Sequence, residues 1–583
     1  MDITTQTPLG TDELMVKLIK EKQVALDFQK RRHEEWTDNY ELYRNKVKTN
    51  RLIQRQAVVV PMMKESIKTI YAQIDEMPTL EFKDLGGDGQ KELYLQARWE
   101  EDSERINFGG IDAVDKKTAL LYGRAFKKIN FINGEFECYN LDNFDILVDP
   151  LVNPLNIETA RFVTHQNIFR SLRDVLADDK YDSEAKNKLK EYVNSKDMIV
   201  QSNLNKEILI AKEDRLKSMG LEKEEFQLFP AGDVILNLTE HYNLLWDTAT
   251  KKFVRYVIVY ADDKIILYKA PLKEAMGVDF LPFITWGEDI ETQDFWNDGP
   301  ADIIRTPNKI MNIFFSQMIE NRTLKNFQMH WYDSTAPNYV PQTYEPGPGR
   351  MLPAPGDPSK VIQPVEVSGL EDVMTEMEFL TNLIQQGSAA TPVLQGAMPT
   401  QRTTAQEYSS MLAQAKEKII SMAKFYRRAH QELGMKYWQM LAANDRGKRT
   451  LYKVSSKGNV FPKDISPSDW ISKEGYRVEV KSSSEQEADN NKSVQKWAFI
   501  KSQFPDNPVV ARIAARRTLE IGDVTPEELK EIEDFEKQKQ QMAMQPPIPQ
   551  QPIQPNQPNP KEQQLSQQVQ QGATQLSNMA TKI

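Results

Sequence analysis

The sequence predicts an α+β protein, predominantly helical, and three observations carry that expectation. Residues 405–440 place Ala405, Tyr408, Leu412, Ala415, Ile419, Met422, Tyr426, Ala429, Leu433, Tyr437 and Met440 at alternating three- and four-residue steps, the period of one helix face. Residues 126–148 and 234–283 instead carry short runs of Phe, Ile, Val and Tyr between turn residues, which is a strand pattern. Between these kinds of region, residues 329–367 hold Pro337, Pro341, Pro346, Gly347, Pro348, Gly349, Pro353, Pro355, Gly356 and Pro358, so no helix runs through them.

Taken in order, residues 11–45 space Leu14, Leu18, Ala25, Phe28, Trp36, Tyr40 and Tyr43 helically behind the capping candidates Thr11 and Asp12, giving one or two amphipathic helices. A second helix carries Ile67, Ile70, Tyr71 and Ile74 and stops before Met77-Pro78. Gly86, Gly87 and Gly89 make a turn, and a polar helix spans residues 91–107. Phe126, Ile129 and Phe131 face Phe136, Cys138 and Tyr139 across Asn133-Gly134, a hairpin turn because both central positions want positive φ. Residues 169–220 read as charged helix, and residues 234–283 as β-rich, with a turn at Asp262-Asp263. A helix over 301–328 carries Ile310, Phe314, Met318, Leu324 and Phe327 and many amides, and a helix over 369–386 has Leu370, Val373, Met377, Leu380 and Ile384 on one face. After a loop at 387–402 comes the long periodic helix, near 60 Å over about 40 residues. Gly434 is a candidate bend in it. Alanine and tyrosine on its seam suit a mixed surface better than a coiled-coil partner. Residues 451–454 and 476–480 read as strands, residues 491–504, 509–521 and 526–540 as helices, and the Gln/Pro-dominated end from Gln545 as unable to bury enough apolar surface to fold alone.

At 583 residues, the length allows about four units at roughly 150 residues each. Forty per cent hydrophobic residues exclude a wholly disordered chain. The net charge of -10 argues against a protein that holds nucleic acid by neutralising phosphates. Cys138 is the one cysteine, so neither an intrachain disulfide nor a multi-cysteine zinc site can form. The polar start, residues 1–10, lacks the pattern of a secretory signal, and no apolar run approaches the roughly 20 residues of a membrane span. A cytosolic site of assembly is expected.

Catalytic patterns are sparse. Gly86-Gly87-Asp88-Gly89 lacks the spacing and the lysine of a phosphate-cradling loop. His33-Glu34-Glu35 opens like a zincin helix, but Thr37 stands where the second histidine belongs. His33, His165, His241, His330 and His430 share no repeated spacing. Asp142, Asp145 and Asp149 form the remaining metal candidate, and capping of a strand that ends at Asp149-Pro150 explains them more simply. No cofactor is expected, and an assembly component is favoured over an enzyme.

Several short segments recur in a definite order: Trp36, Tyr40 and Tyr43; Val59-Val60-Pro61; Pro78-Thr79-Leu80-Glu81-Phe82; Ala119 through Gly123-Arg124 to Phe126; Phe144 through Asp149-Pro150; and Ala160-Arg161-Phe162-Val163. Gly299-Pro300 with the amide-rich helix, Pro348-Gly349-Arg350 and Thr403-Thr404-Ala405-Gln406-Glu407 follow. This order resembles the portal proteins, or head-to-tail connectors, of tailed bacteriophages. The resemblance implies a ring of twelve subunits with wing, stem, clip and crown regions around a DNA channel.

Carried over by position, residues 1–298 look like the N-terminal part of the wing, 299–328 the first stem helix, 329–368 the clip, 369–386 the second stem helix and 387–402 the tunnel loop. Residues 403–484 look like the C-terminal wing, 485–540 the crown and 541–583 a disordered tail; the charged 169–220 insertion and this tail depart from shorter members. Gln395, Met398, Gln401 and Arg402 are the implied DNA-facing residues of the loop, with Arg402 able to pair with phosphate or simply with the long helix. Asn308, Asn312, Gln317 and Asn321 mark a polar stem face, suited to a wet helix interface or a channel wall, and Tyr339, Tyr344 and Arg350 belong to the clip. The implied partners are further copies of the chain, double-stranded DNA in weak non-specific contact, the terminase large subunit, head-tail adaptor or tail proteins, the major capsid protein and scaffold or internal core proteins, with no membrane. The expected place is the portal vertex of the virion, after assembly in the host cytoplasm. The rival readings are a tail or baseplate subunit without a DNA channel and a metal-dependent DNA-processing enzyme.

Overall fold

The computed structural model describes residues 11–46, 58–74, 78–193, 208, 212, 234–247, 250–326, 330–332, 362–364, 373–388, 394, 405–451, 463–481, 496 and 499. The chain divides into two units, Met1–Phe499 and Ile500–Ile583, and every described residue belongs to the first. The expected helices beyond residue 500 and the Gln/Pro-rich end therefore lie outside the described residues.

In chain order the elements are α1 (Thr11–Tyr43), α2 (Met62–Gln73), β1 (Thr79–Asp84), α3 (Gly89–Arg105), α4 (Phe108–Tyr122), β2 (Arg124–Ile132), β3 (Glu135–Leu141), β4 (Ile146–Val148), β5 (Phe162–Ser171), α5 (Leu172–Ala177), α6 (Ser183–Val193), β6 (Ile235–Asp247), β7 (Lys252–Ala261) and β8 (Ile265–Pro271). They continue with α7 (Leu272–Met276), β9 (Phe283–Gly287), α8 (Pro300–Asn326), β10 (His330–Tyr332), β11 (Ile362–Pro364), α9 (Val373–Ser388), α10 (Ala405–Asn444), β12 (Arg449–Leu451), β13 (Lys463–Ile465), α11 (Pro467–Trp470) and β14 (Tyr476–Lys481). The protein is α+β with helix predominating.

Helix α1 is unbroken, and its buried face changes partner along its length. Leu14 and Leu18 pack on Ile258 and Tyr260 of the β6–β7 hairpin. Two turns past Phe28, Trp36 enters a second cluster with Phe144 and Trp296. Strands β4 to β8 form one antiparallel sheet in sequential order. Its last hairpin turns at Asp262 and Asp263, both at positive φ, which aspartate tolerates better than most side chains. In the second sheet, ordered β3-β2-β9, Asn133 and Gly134 make the β2–β3 turn with φ of 53° and 83° and pair Ile132 with Glu135.

Helix α10 organises the largest core. Ile419, Met422, Tyr426, Ala429, Leu433, Tyr437 and Met440 are all buried, and they share one cluster with α2, α3, α4, β1, β2 and β14. The seam thus meets strands and helices together. Strand β14 pairs antiparallel with β1, Phe82 opposite Val478 and Leu80 opposite Val480, so segments about 400 residues apart close one structure. Gly434 lies where β14 crosses: a Cβ there would come within 2.7 Å of Val478 Cγ1. This glycine permits close approach of a strand, where the sequence offered it as a bend.

Several elements were not legible. Helix α4 does not show in the sequence pattern because Gly109-Gly110 at its start reads as a breaker. The short α7, β13 and α11 carry too few residues for a period to show. Residues 169–171 finish β5, so the charged helices begin at Leu172.

Candidate functional site

Helices α8 and α9 form a hairpin with a closely packed root. Helix α8 runs out from residues 297–302, β10 and β11 pair antiparallel beyond it, and α9 returns. A Cβ on Gly387, near the end of α9, would lie 2.7 Å from Ile303 Cγ2 near the start of α8, so the two helices are antiparallel neighbours. Val373, Leu380 and Ile384 face inward, while Phe379 and Leu383 are exposed. Helix α9 includes Gly387 and Ser388, two residues assigned by sequence to the following loop.

Three glycines make the root. Gly123 has φ +79°, and a Cβ there would sit 1.9 Å from the Asn297 carbonyl oxygen. A Cβ on Gly287 would meet Asn297 Nδ2 at 2.2 Å, and one on Gly299 would meet Gly123 N at 2.9 Å. Only hydrogen fits where these backbones converge. The buried Arg124 guanidinium holds Asn297 Oδ1 from Nε at 3.1 Å and from an Nη at 2.8 Å, and reaches Pro154 O at 3.0 Å. Burial pushes it down to about 9, which still leaves it cationic at neutral pH.

Asp302, in the first turn of α8, accepts from Gly299 N at 2.9 Å, Asn39 Nδ2 at 3.0 Å and Arg305 at 2.6 Å, with Arg32 at 3.2 Å. An acid there satisfies free helical N–H groups and suits the helix dipole. Burial pulls the Arg32 guanidinium down, but Asp302, Glu35 and Asp298 outweigh it and raise it above its ordinary value. These contacts tie α8 to α1.

A second set of bonds crosses α8 one to four turns further on. Met63 N–H donates to Asn308 Oδ1 at 3.0 Å, Val60 N–H to Asn312 Oδ1 at 2.8 Å and Val58 N–H to Ser316 Oγ at 3.2 Å, while Asn308 Nδ2 donates back to Val60 O at 3.0 Å. Residues 308, 312 and 316 stand four apart on one helix face. They act as a ladder of side chains for a strap that has no neighbouring strand to bond. The expected single polar face is thereby divided. Asn308 and Asn312 are buried against the strap, whereas Gln317, nine residues on from Asn308 and so about 180° round the helix, is exposed and Asn321 is half-buried beside it. Gln395, Met398, Gln401 and Arg402, and Tyr339, Tyr344 and Arg350, lie outside the described residues.

The acidic metal candidates have other partners. Asp142 caps a short turn by accepting from Phe144 N at 3.1 Å. Asp145 accepts from Asn167 Nδ2 at 2.9 Å and pairs with Lys212, 2.5 Å away. Asp149 accepts from Nε and one Nη of Arg161, at 2.6 and 2.7 Å, and burial raises its carboxyl less than Arg161 lowers it. No group of three metal-binding side chains occurs among the described residues. The His33 ring packs at a tilt against Trp36 and Phe144, and Gly87 serves the turn into α3 that Asp88 caps at Gln90 N.

One hydroxyl–imidazole–carboxylate chain does occur: Thr164 Oγ1 is 2.8 Å from His241 Nδ1, and His241 Nε2 is 3.2 Å from Glu21. Thr164 and His241 are both fully buried within the sheet, where no substrate carbonyl can reach the hydroxyl. Burial pulls the imidazole down despite Glu21. The chain reads as a satisfied polar joint between α1 and β5–β6. No described helix is long and apolar enough to cross a membrane.

The chain matches the model of the family described as "Phage SU10 portal protein" over residues 38–577. No curated protein matches the chain.

Proposed function

Since the chain belongs to the phage SU10 portal protein family, a family of structural virion components, we propose that it forms a closed ring of twelve copies at one capsid vertex. In this reading DNA passes through the ring's channel during packaging and ejection. A separate ATP-driven terminase docks first, and head-tail adaptor or tail proteins replace it. The observation that carries the proposal is the family match across almost the whole chain, and the antiparallel α8–α9 hairpin supports it. Two long helices fixed at their root by Gly123, Asn297 and Asp302 can stand side by side around an axis and present residues such as Gln317 to a neighbour or to the lumen. A heterologous interface of that kind closes by rotation.

Residues 299–328 and 369–388 are then the stem, residues 329–368 the clip that meets adaptor proteins, and residues 389–402 the tunnel loop, with Gln395, Met398, Gln401 and Arg402 toward DNA. Residues 1–298 and 403–484 form the wing, facing capsid and scaffold or core proteins, and residues 485–540 the crown. A net charge of -10 fits a conduit, because DNA slides where phosphate anchors are few. Electron microscopy of the purified protein tests this reading. Rings of roughly twelvefold symmetry with a central hole are expected, and a homogeneous population of open filaments or monomers under packaging-like conditions would overturn it.

A further inference from the structure

The loop from β4 to β5, residues 149–161, displays two leucines that it cannot fold away. Val152, Ile157 and Ala160 are buried beneath it, whereas Leu151 and Leu155 are 78% and 51% exposed. The loop is pinned along its length. Asp149 accepts from Leu151 N and binds Arg161, Asn153 N donates to Thr159 Oγ1 at 2.9 Å, and Glu158 pairs with Arg255 and with Lys436 of α10. Asn153 Oδ1 accepts from Leu155 N at 2.9 Å and Asn156 Oδ1 from Glu158 N at 3.0 Å. Both asparagines are exposed, and each keeps Nδ2 as a donor with no partner among the described residues. A rigid, solvent-facing apolar pair rimmed by polar donors is the form of a docking surface.

Beneath the loop lies a cation with no carboxylate in contact. Arg124 is held by the Asn297 amide, by the Pro154 carbonyl oxygen and by the Phe295 ring, 4.0 Å from its centroid. Asp294, the acid that acts on it from further off, is paired with Arg31. The positive field of such a buried charge reaches the surface above it with little screening.

A face of matching chemistry lies on α9. Glu376, Phe379 and Leu383 stand three and then four residues apart, on one side of the helix. Phe379 is 65% and Leu383 45% exposed, and Glu376 has no hydrogen bond or ion pair among the described residues. The exposed Ile303 of α8, beside Gly387, continues this face toward the root. Within one copy neither patch covers the other, since the apolar side chains of both remain exposed.

We propose that the α9 face of one copy docks on the 149–161 loop of the next, with Phe379 and Leu383 against Leu151 and Leu155 and the Glu376 carboxylate toward the Asn153 and Asn156 amides above Arg124. The proposal rests on the ring reading and names the residues that meet. Both patches are tied to the root of the hairpin. Pro154 reaches Asn297 through Arg124, and Gly387, one turn from Leu383, touches Ile303. Rotation about a ring axis carries a patch around the axis and not along it, so patches at one level in a copy meet between copies. The charges agree as well, because an acid suits amide donors over an uncompensated guanidinium and a lysine or arginine does not.

The test uses the full chain carrying Leu151→Cys and Leu383→Cys, assembled and treated with a short bismaleimide, with electron microscopy of the same sample. Cys138 is buried, and each single variant controls for it. The double variant is expected to give a ladder of covalent multimers on a denaturing gel, and the single variants none. Rings without a ladder would overturn the docking while leaving the ring reading intact; absence of rings from the unaltered protein would remove both. Should the double variant not assemble, Leu151→Glu combined with Leu155→Glu decides the matter. Those side chains are exposed, so melting of the dissociated chain should not change, while the concentration for half-assembly should rise about tenfold or more. An unchanged assembly concentration would count against the docking.

Discussion

Gly123 and Asn297 approach so closely that a single methyl group on the glycine would lie 1.9 Å from the asparagine's carbonyl oxygen. The contact joins the end of α4 to the segment that launches α8, and the left-handed φ of +79° at Gly123 adds a second demand for glycine. Replacement by alanine combines backbone strain with overpacking, each about 1–3 kcal/mol. Gly123→Ala is expected to lower unfolding free energy by about 3 kcal/mol or more in denaturant titration. An unchanged midpoint would show that the root does not depend on this contact.

The amides of α8 are expected to separate by face. Asn312→Ala strips the half-buried Val60 N–H of its acceptor, and Asn308→Ala strips the Met63 N–H of its acceptor and Val60 O of its donor, at about 1–3 kcal/mol each. Gln317→Ala, on the exposed side, should stay within about 0.5 kcal/mol. Thermal melting of the three variants checks this, and equal losses at all three positions would contradict the division.

At Gly434 helix propensity and packing oppose each other. Alanine favours a helix interior by up to about 1 kcal/mol, yet its Cβ would press on Val478 at 2.7 Å. Overpacking of about 1–3 kcal/mol outweighs the gain, so Gly434→Ala is expected to destabilise. Combining it with Val478→Ala should recover part of the loss, a coupling measurable by a double-mutant cycle. Strict additivity would place the conflict elsewhere.

Acid sensitivity is expected to run in part through Glu240 and Lys128. Burial pushes the Glu240 carboxyl up, but the Lys128 ammonium and His165 outweigh it and hold it at about 2, against an ordinary 4.5. A depressed acid contributes stability that is complete above pH 4.5 and lost as the pH falls toward 2. Glu240→Gln should therefore flatten the stability profile across that window. At pH 7 it should cost about 3–5 kcal/mol, because it leaves Lys128 buried without its carboxylate. Urea titrations at several pH values give both results, and an acid limb as steep as the parent's would exclude this pair as its source.

Much of the fold was legible because it rests on local chemistry. The α10 seam, the Asn133-Gly134 hairpin, the Asp262-Asp263 turn and the amide-rich α8 follow from side-chain period and turn preference, which need no distant partner. Helix α4 was hidden by Gly109-Gly110, whose unfavourable propensity is overridden by Leu120, Leu121 and Ala119 in the core. The candidate site was half legible. The segments Leu120-Leu121-Tyr122-Gly123 and Gly299-Pro300 stood out as family-like, but nothing in either run says that they touch.

An acidic α+β chain with a long spine helix, two helices parted by a Pro/Gly-rich excursion, and the order of segments found in portal proteins are all legible in the sequence. What individual residues do follows from contacts that the folded chain alone brings together. Asn308 and Asn312 turn inward to hold residues 58–63, Gly434 admits β14, Asp149 belongs to Arg161, and His430 meets Asp112 more than 300 residues away. Period and propensity act over a few residues, whereas a buried polar atom is satisfied by whatever the fold brings within about 3 Å.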